Sequence, residues 1–457
     1  MTIAGKFFIL MKIKEMAMSQ LKRNLTFFDL TMIAIGSVIG SGIFLTPSMI
    51  AKALPSPPWI LFVWVLGGIM ALTGALTYAE LASRMPQAGG VYVYLVKAYG
   101  GLFGFLYGWV YFFVVNTGGI AALSIAFSTY FSYFIPLNAA GLRLVAVGGI
   151  IFLTAINVVG VKAGAIFSDL FTVLKIIGIV GLIGVGFGMG SASSTNFSQM
   201  SSQSSSHLFV ALAVAMVGVI WSCGGWQHVT FTAGEAKNPR RNVAWAMIVG
   251  AIVITGIYLL TNIAYMLLLS PADIAASEHV AADAVERVLG HAGGGLIALA
   301  IFISTFGTAG IYTLTAPRIY FAMARDKVFF SKVAEVHPKF RTPAFAIIFQ
   351  SIWAIVLILF WGTFENLISY VVFTDAIFFA LTAASIFIFR KKTSDAPKFR
   401  TPGYPFTPII FIMIELWFLL VIVTEKPLES LIGLGFLVLG VPVYFGWKKL
   451  QAKQLKR

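Results

Sequence analysis

The stretch Thr31-Met-Ile-Ala-Ile-Gly36-Ser37-Val38-Ile39-Gly40-Ser41-Gly42-Ile43-Phe44 decides how this chain is read. It places three glycines and two serines inside an apolar run at about 26–50. A run of this length can cross a bilayer, which takes about 20 mostly apolar residues in an α-helix. Each glycine weakens a helix by about 1 kcal/mol relative to alanine. Gly40-Ser41-Gly42 is therefore a candidate point of unwinding. A packing role is the alternative, because Gly36 and Gly40 also form the small-xxx-small pair on which membrane helices meet.

A second interruption favours unwinding. Trp221-Ser222-Cys223-Gly224-Gly225-Trp226 lies at the centre of another long apolar run, at about 208–233. Twelve such runs are read in all, the others at about 59–81, 102–134, 143–160, 166–188, 243–269, 293–323, 344–361, 364–389, 406–424 and 427–447. The interrupted runs are the first and the sixth, five apart, so they cross in opposite directions. Broken helices at corresponding places of two oppositely oriented halves are the mark of an inverted-repeat secondary transporter. The expected fold is an all-α polytopic membrane protein with 12 transmembrane helices in a 5+5 inverted repeat. Helices 1 and 6 are broken, and helices 11 and 12 lie outside the repeat. In domain terms, 1–24 is a cytoplasmic N-terminal segment and 25–450 a single membrane domain. Its repeats span about 25–188 and 208–389, its additional helices about 406–447, and 451–457 forms a cytoplasmic tail.

Composition agrees with this reading and removes other classes. The chain is 59% hydrophobic and only 11% charged, against about 25% charged residues in a soluble domain. A net charge of +15 would suggest nucleic acid in a soluble protein, but here the positions of the charges matter. With twelve spans, 27 of the 32 lysines and arginines fall on the side that holds both termini and the even-numbered loops. They include Lys6, Lys12, Lys14, Lys22, Lys456 and Arg457. Only Lys52, Arg143, Arg287 and Lys426 fall on the other side. The positive-inside rule then places both termini in the cytoplasm. The basic loops 318–341 and 390–400 serve topology and anionic lipid, and no nucleic acid partner is expected. The serine-rich stretch Ser191–Ser206 and the acidic loop 270–292 read as external. One cysteine, Cys223, excludes an intrachain disulfide framework, and no Cys/His cluster has metal-site spacing.

The two breaks define a chemistry. Unwound backbone is tolerated at membrane depth only around a cavity or ligand. The half-helix that begins after a break offers free N–H groups and a positive dipole end, suited to a carboxylate. The half-helix that ends before it offers free carbonyls, suited to an ammonium group. Two such breaks placed together suit a zwitterion, and an α-amino acid is the match.

Gly40-Ser-Gly-Ile-Phe44 resembles the span-1 signature of the amino acid–polyamine–organocation (APC) superfamily, as does Pro86-Gln-Ala-Gly-Gly-Val-Tyr92-Val-Tyr94 after span 2. Gly224-Gly225-Trp226 followed by Glu235-Ala-Lys237-Asn238-Pro239 is similar to the L-amino-acid transporter branch, which includes bacterial serine/threonine exchangers. So are Pro317-Arg318, Ala324-Arg325-Asp326 and His337-Pro338-Lys-Phe-Arg341-Thr-Pro343 beyond span 8. The resemblance implies the LeuT-type form of the inverted repeat. It also implies that the backbone amides of Ser41 and Gly42, with Ile43 beside them, hold a substrate carboxylate. The carbonyls of Val38, Trp221 and Gly224 would then hold its ammonium, and the Trp221 ring would cover it. Gln227 departs from the branch, which often has Asp or Asn there. The Pro136–Leu142 loop lacks the cysteine with which animal members bond a heavy chain, so no disulfide-linked heavy chain is expected. No cofactor is expected either.

Lys175 is the one basic residue on neither side. It lies about 15 Å from either end of its span at 1.5 Å per residue, and a central lysine costs about 3 kcal/mol or more. It therefore needs a partner. In sodium-coupled relatives of this fold a sodium ion lies between spans 1 and 8, whereas a span-5 lysine reaches that place in the sodium-independent branch resembled here. The expected neighbours of Lys175 are carbonyls near Gly36 and the hydroxyls of Ser304, Thr305 and Thr308. Gly36, Lys175 and Ser304 are accordingly expected to couple substrate occupancy to span 8. Asp169, Asp375 and Glu415 are further charges within spans, with Asp375 a candidate for a gate or proton path.

An enzyme or a channel is disfavoured: no His-Glu-x-x-His occurs, no catalytic constellation is found, and no repeated pore filter is present. Four histidines (His207, His279, His291 and His337) lie in loops or at span ends, and His228 follows the second break. Side-chain specificity is assigned to Ser37, Asn116, Thr117, Ser222, Cys223 and Thr308. With no acidic residue next to the breaks in sequence, the substrate is expected to be a small or medium neutral L-amino acid. Exchange is the expected mode, with proton-coupled symport as the alternative.

Overall fold

The computed structural model describes residues 23–190, 205–360, 364–392 and 397–454. Lys6, Lys12, Lys14, Lys22, Lys456, Arg457 and most of the Ser191–Ser206 loop lie outside the described residues. Among the described residues the fold is helical throughout, with one isolated parallel bridge between Leu25 and Ala236. Ten helical stretches among the described residues are long and apolar enough to cross a membrane. The sequence runs at 208–233 and 344–361 correspond to shorter apolar helices, Leu208–Cys223 and Ala344–Phe360. Ala344–Phe360 abuts residues that are not described.

The first run is two helices, α1 (Phe27–Val38) and α2 (Gly42–Ala53). α1 starts at a capping box in which Thr26 and Asp29 satisfy each other's backbone amides. Then come α3 (Pro57–Arg84), α4 (Val91–Tyr99) and α5 (Gly101–Val110). A π turn over Tyr111–Val115 joins α5 to α6 (Asn116–Phe131). α7 (Ala139–Val159) and α8 (Val161–Met189) complete the first half. The sixth run is again divided, into α9 (Ser205–Cys223) and the single turn α10 (His228–Phe231). α11 (Pro239–Leu268), α12 (Pro271–Ala276), α13 (Val280–Thr315), α14 (Pro317–Arg325), α15 (Ala344–Phe360) and α16 (Phe364–Lys392) follow. α17 (Phe406–Glu425) and α18 (Pro427–Gln454) close the chain.

The acidic 270–292 segment is largely helical, unlike the loop read from the sequence. Ser270 and Asp273 form a capping box around Pro271, and α13 begins at Val280 and kinks at Gly290, whose φ is 69°. Asp273 is held below the usual carboxylate range, chiefly by its hydrogen bond with Arg287 at 2.9 Å.

Burial separates centre from periphery. The most apolar part of Gly101–Phe131 is 89% buried, whereas that of Pro427–Ala452 is 22% buried. The outer helices carry exposed leucines such as Leu144, Leu420 and Leu431, as a lipid-facing surface requires.

One buried ionic cluster ties the helix ends together. Glu80 of α3 accepts from Arg84 at 2.8 Å, from Arg390 of α16 at 2.5 Å and from the Thr401 amide at 2.8 Å. Arg390 also stacks on Tyr404, 3.7 Å from the ring centre. Removing the one acid leaves two guanidinium groups without their shared anion, a loss of about 3 kcal/mol or more. Glu80→Ala should therefore lower the melting temperature in detergent well below the level of Arg84→Ala, which keeps the more buried Glu80 paired with Arg390. Equal melting temperatures would show that the cluster contributes no stability.

Candidate functional site

The two breaks lie against each other. Ser37 donates to the Gly225 carbonyl at 2.8 Å, and Thr46 meets Ser222 at 2.9 Å through their hydroxyls. Further along, a Cβ on Gly218 would touch Thr46 and Ile50. Numbers rise on one element as they fall on the other, so α1–α2 and α9–α10 run antiparallel through the breaks. The approach requires glycine. A Cβ on Gly42 would come within 2.7 Å of the Ser222 Cα, and one on Gly225, whose φ is +111°, within 2.7 Å of the Ser37 carbonyl.

The first break leaves the backbone amides of Gly40, Ser41, Gly42 and Ile43 without a backbone acceptor. These are the open donors at the start of α2, where the dipole favours an anion. The indole of Trp221 leans over them and donates to the Ser41 hydroxyl at 3.2 Å. It also meets Phe364 edge-on, with 5.9 Å between ring centres. At the second break, the Gly225 amide donates to the Gln227 side chain at 2.9 Å. The departure at Gln227 therefore supplies its own cap.

The carbonyls that end α1 are filled by side chains. The Lys175 ammonium donates to Gly36 O at 2.8 Å, Ile39 O at 2.6 Å and the Thr308 hydroxyl at 2.7 Å. These three partners match the three N–H bonds of an ammonium group. Ser304 donates to Gly40 O at 3.1 Å. Thr305 turns away and bonds within its own helix, to Ile301 O. α8 approaches this closely because Gly36 has no Cβ, which would meet the Thr172 and Ile311 side chains. Val38 O accepts from Tyr258 at 2.9 Å and Ile43 O from Tyr265 at 3.2 Å, which occupies one lone pair of each carbonyl.

A cavity of about 30 Å³, counted as room for the centre of a water molecule, adjoins the second break. Trp221, Gly224, Gly225, Gln227 and His228 line it from one side. Tyr111 and Val115 face it from the π turn, Tyr312 from α13, and Val371, Val372, Asp375 and Phe379 from α16. His228 is hydrogen-bonded through both ring nitrogens, to Tyr111 at 3.0 Å and Thr315 at 2.6 Å, and stacks on Tyr312.

This lining differs from the specificity surface read from the sequence. None of Ser37, Asn116, Thr117, Ser222, Cys223 and Thr308 lines the cavity. Asn116 donates to Gln350 and Thr117 to Phe112 O. Ser222 bonds Gly218 O at 2.6 Å, and the Cys223 sulfur lies against Gly67 of α3. No acid adjoins the breaks in sequence, but α16 brings Asp375 to the cavity from far along the chain. The signal for Asp375 was its charge inside an apolar run; its direction is set by packing.

A family profile described as "Amino acid permease" matches residues 25–439. The chain belongs to the amino acid permease family. It is 33% identical to a serine/threonine exchanger of Bacillus subtilis over 433 residues, covering 93% of this chain and 96% of that protein. It is 29% identical to the mouse b(0,+)-type amino acid transporter 1 over 448 residues, covering 95% and 91%. With the human large neutral amino acids transporter small subunit 2 it shares 29% identity over 435 residues, covering 93% and 80%. Membership in this permease family and the assembly of apolar helices make the chain a multi-pass membrane protein of the APC superfamily.

Proposed function

We propose that this permease is a sodium-independent exchanger of small and medium neutral L-amino acids that works by alternating access. The observation that carries the reading is the pair of abutting breaks. Open amides from Gly40 to Ile43 face one side, and the Lys175 ammonium rests on Gly36 O and Ile39 O on the other. The amides suit a substrate carboxylate. The ammonium stands where oxygen atoms converge between α1 and α13, so a protein cation fills a place that would otherwise suit a sodium ion. The antiparallel meeting of α1–α2 with α9–α10 supports twelve spans in a LeuT-type inverted repeat, with α17 and α18 added. The 27-to-4 division of basic residues supports cytoplasmic termini in a cell membrane. Burial of Cys223, the single cysteine, supports action without a disulfide-linked subunit.

Asp375 favours a second reading, in which a cationic side chain enters the cavity. Purified protein in liposomes separates the two. Labelled neutral amino acid should enter only when unlabelled amino acid is inside, at the same rate in choline as in sodium buffer. Uptake into empty liposomes driven by an imposed pH gradient would replace exchange with symport. Better competition by arginine or lysine than by serine, alanine or leucine would overturn the neutral assignment.

A further inference from the structure

Glu415 lies at the middle of α17 with no exposed surface, and neither of its carboxylate oxygens has a hydrogen-bond partner. α17 packs against α3, α9, α16 and α18. Among the described residues, the titratable groups that these helices bring within electrostatic reach of Glu415 are Tyr78 of α3 and Asp375 of α16. α9 and α18 bring none, and no basic side chain pairs with it. One turn earlier on α17, the Phe411 ring packs on Tyr78, Trp226 and Phe379 with ring centres 6.0–6.3 Å apart. This face of α17 therefore looks toward the second break.

An ionised carboxylate with neither a donor nor a cation beside it costs several kcal/mol, so Glu415 carries a proton in this arrangement. Packing does not account for an acid here. Leucine would fill the site without the penalty of about 1–3 kcal/mol for an unsatisfied buried polar group. Ionisable groups so placed in membrane helices belong to substrate or proton pathways. Asp375 supplies the connection. It lines the cavity at the break, and its Oδ1 likewise lacks a partner.

We propose that Glu415 is a proton-binding site of the transport cycle, exchanging its proton with the cavity through Asp375, so that substrate movement carries protons. When the cavity opens, Asp375 gives its proton to cavity water, and Glu415 then passes its own proton to the vacated Asp375 carboxylate. With the cavity open to the opposite side, water returns a proton along the same two groups. Each transfer breaks one O–H bond and forms another, and no oxidant or reductant takes part.

The proposal rests on the amino acid transport reading, and one preparation tests both. Protein in liposomes loaded with L-serine and a pH-sensitive dye is exposed to labelled L-serine. With a pH step imposed across the membrane, wild-type protein should exchange serine and change the internal pH by dissipating that step faster when serine is present. Glu415→Gln should keep serine exchange within about twofold while its pH signal falls at least tenfold. Wild-type exchange without a pH change, or an undiminished signal in Glu415→Gln, would overturn the proposal. Absence of labelled serine exchange in wild type instead defeats the transport reading, and the proton role with it. Infrared difference spectra of the wild type, with and without serine, keep the test independent of the variant's folding. A protonated carboxylic acid band that responds to serine is expected, and its absence counts against Glu415.

Discussion

Lys175→Ala should lose transport while remaining folded. Its ammonium makes hydrogen bonds to Gly36 O, Ile39 O and Thr308 with lengths of 2.6–2.8 Å. Bonds to a charged donor are worth about 1.5–3 kcal/mol each. Losing the equivalent of two therefore removes about 3 kcal/mol or more from the arrangement that fixes the end of α1 against α13. Because each 1.36 kcal/mol is tenfold in rate, uptake of labelled amino acid into proteoliposomes should fall at least about a hundredfold. The fold should survive, since no acid depends on Lys175 and the surrounding helices are joined by apolar contacts. Lys175→Met, which keeps the stem and loses the charge, should be equally inactive. Wild-type uptake by either variant would show that the lysine fills space and couples nothing.

The features legible in the sequence were those tied to a chain position. Gly40-Ser41-Gly42 and Gly224-Gly225 announced the breaks because glycine is the residue that weakens a helix. Lys175 announced a partner because a charge at mid-membrane depth needs one. Rotation of each helix about its axis was hidden, since hydropathy locates a span without orienting it. Asn116 and Thr117 show the cause. They follow the π turn at Tyr111–Val115, which inserts about one extra residue, or about 100° of rotation. Tyr111 and Val115 thus line the cavity while Asn116 bonds Gln350. Asp375 was visible as a charge, yet its place at the second break comes from the packing of α16. Glu235 and Arg318 belong to two separate motifs, and nothing in their spacing of 83 residues joins them.

Arg318→Met should be more destabilising than the double replacement Glu235→Gln with Arg318→Met. Both partners are almost wholly buried, and they pair through two hydrogen bonds of 2.9 and 3.0 Å. Arg318 also donates to the Leu314 carbonyl of its own chain segment. The pair joins the start of α14 to the chain just beyond α10. There the Leu25 amide donates to Glu235 O at 3.0 Å and the Lys237 amide to Leu25 O at 2.8 Å. One ion pair thus sits behind a three-way junction of the segment before α1, the segment after α10 and the end of α13. A buried pair is a weak source of net stability, because desolvation offsets most of the attraction. Removing one partner is different, since it strands a charge at a cost of about 3–5 kcal/mol. Arg318→Met leaves Glu235 in that state, whereas the double variant leaves a neutral amide that can still bond the backbone. Thermal unfolding followed by fluorescence-detected size exclusion should rank wild type above the double variant, and both above Arg318→Met. If the double variant melts no higher than Arg318→Met, the stranded charge is not the cause, and the Arg318 stem and its bond to Leu314 hold the junction instead.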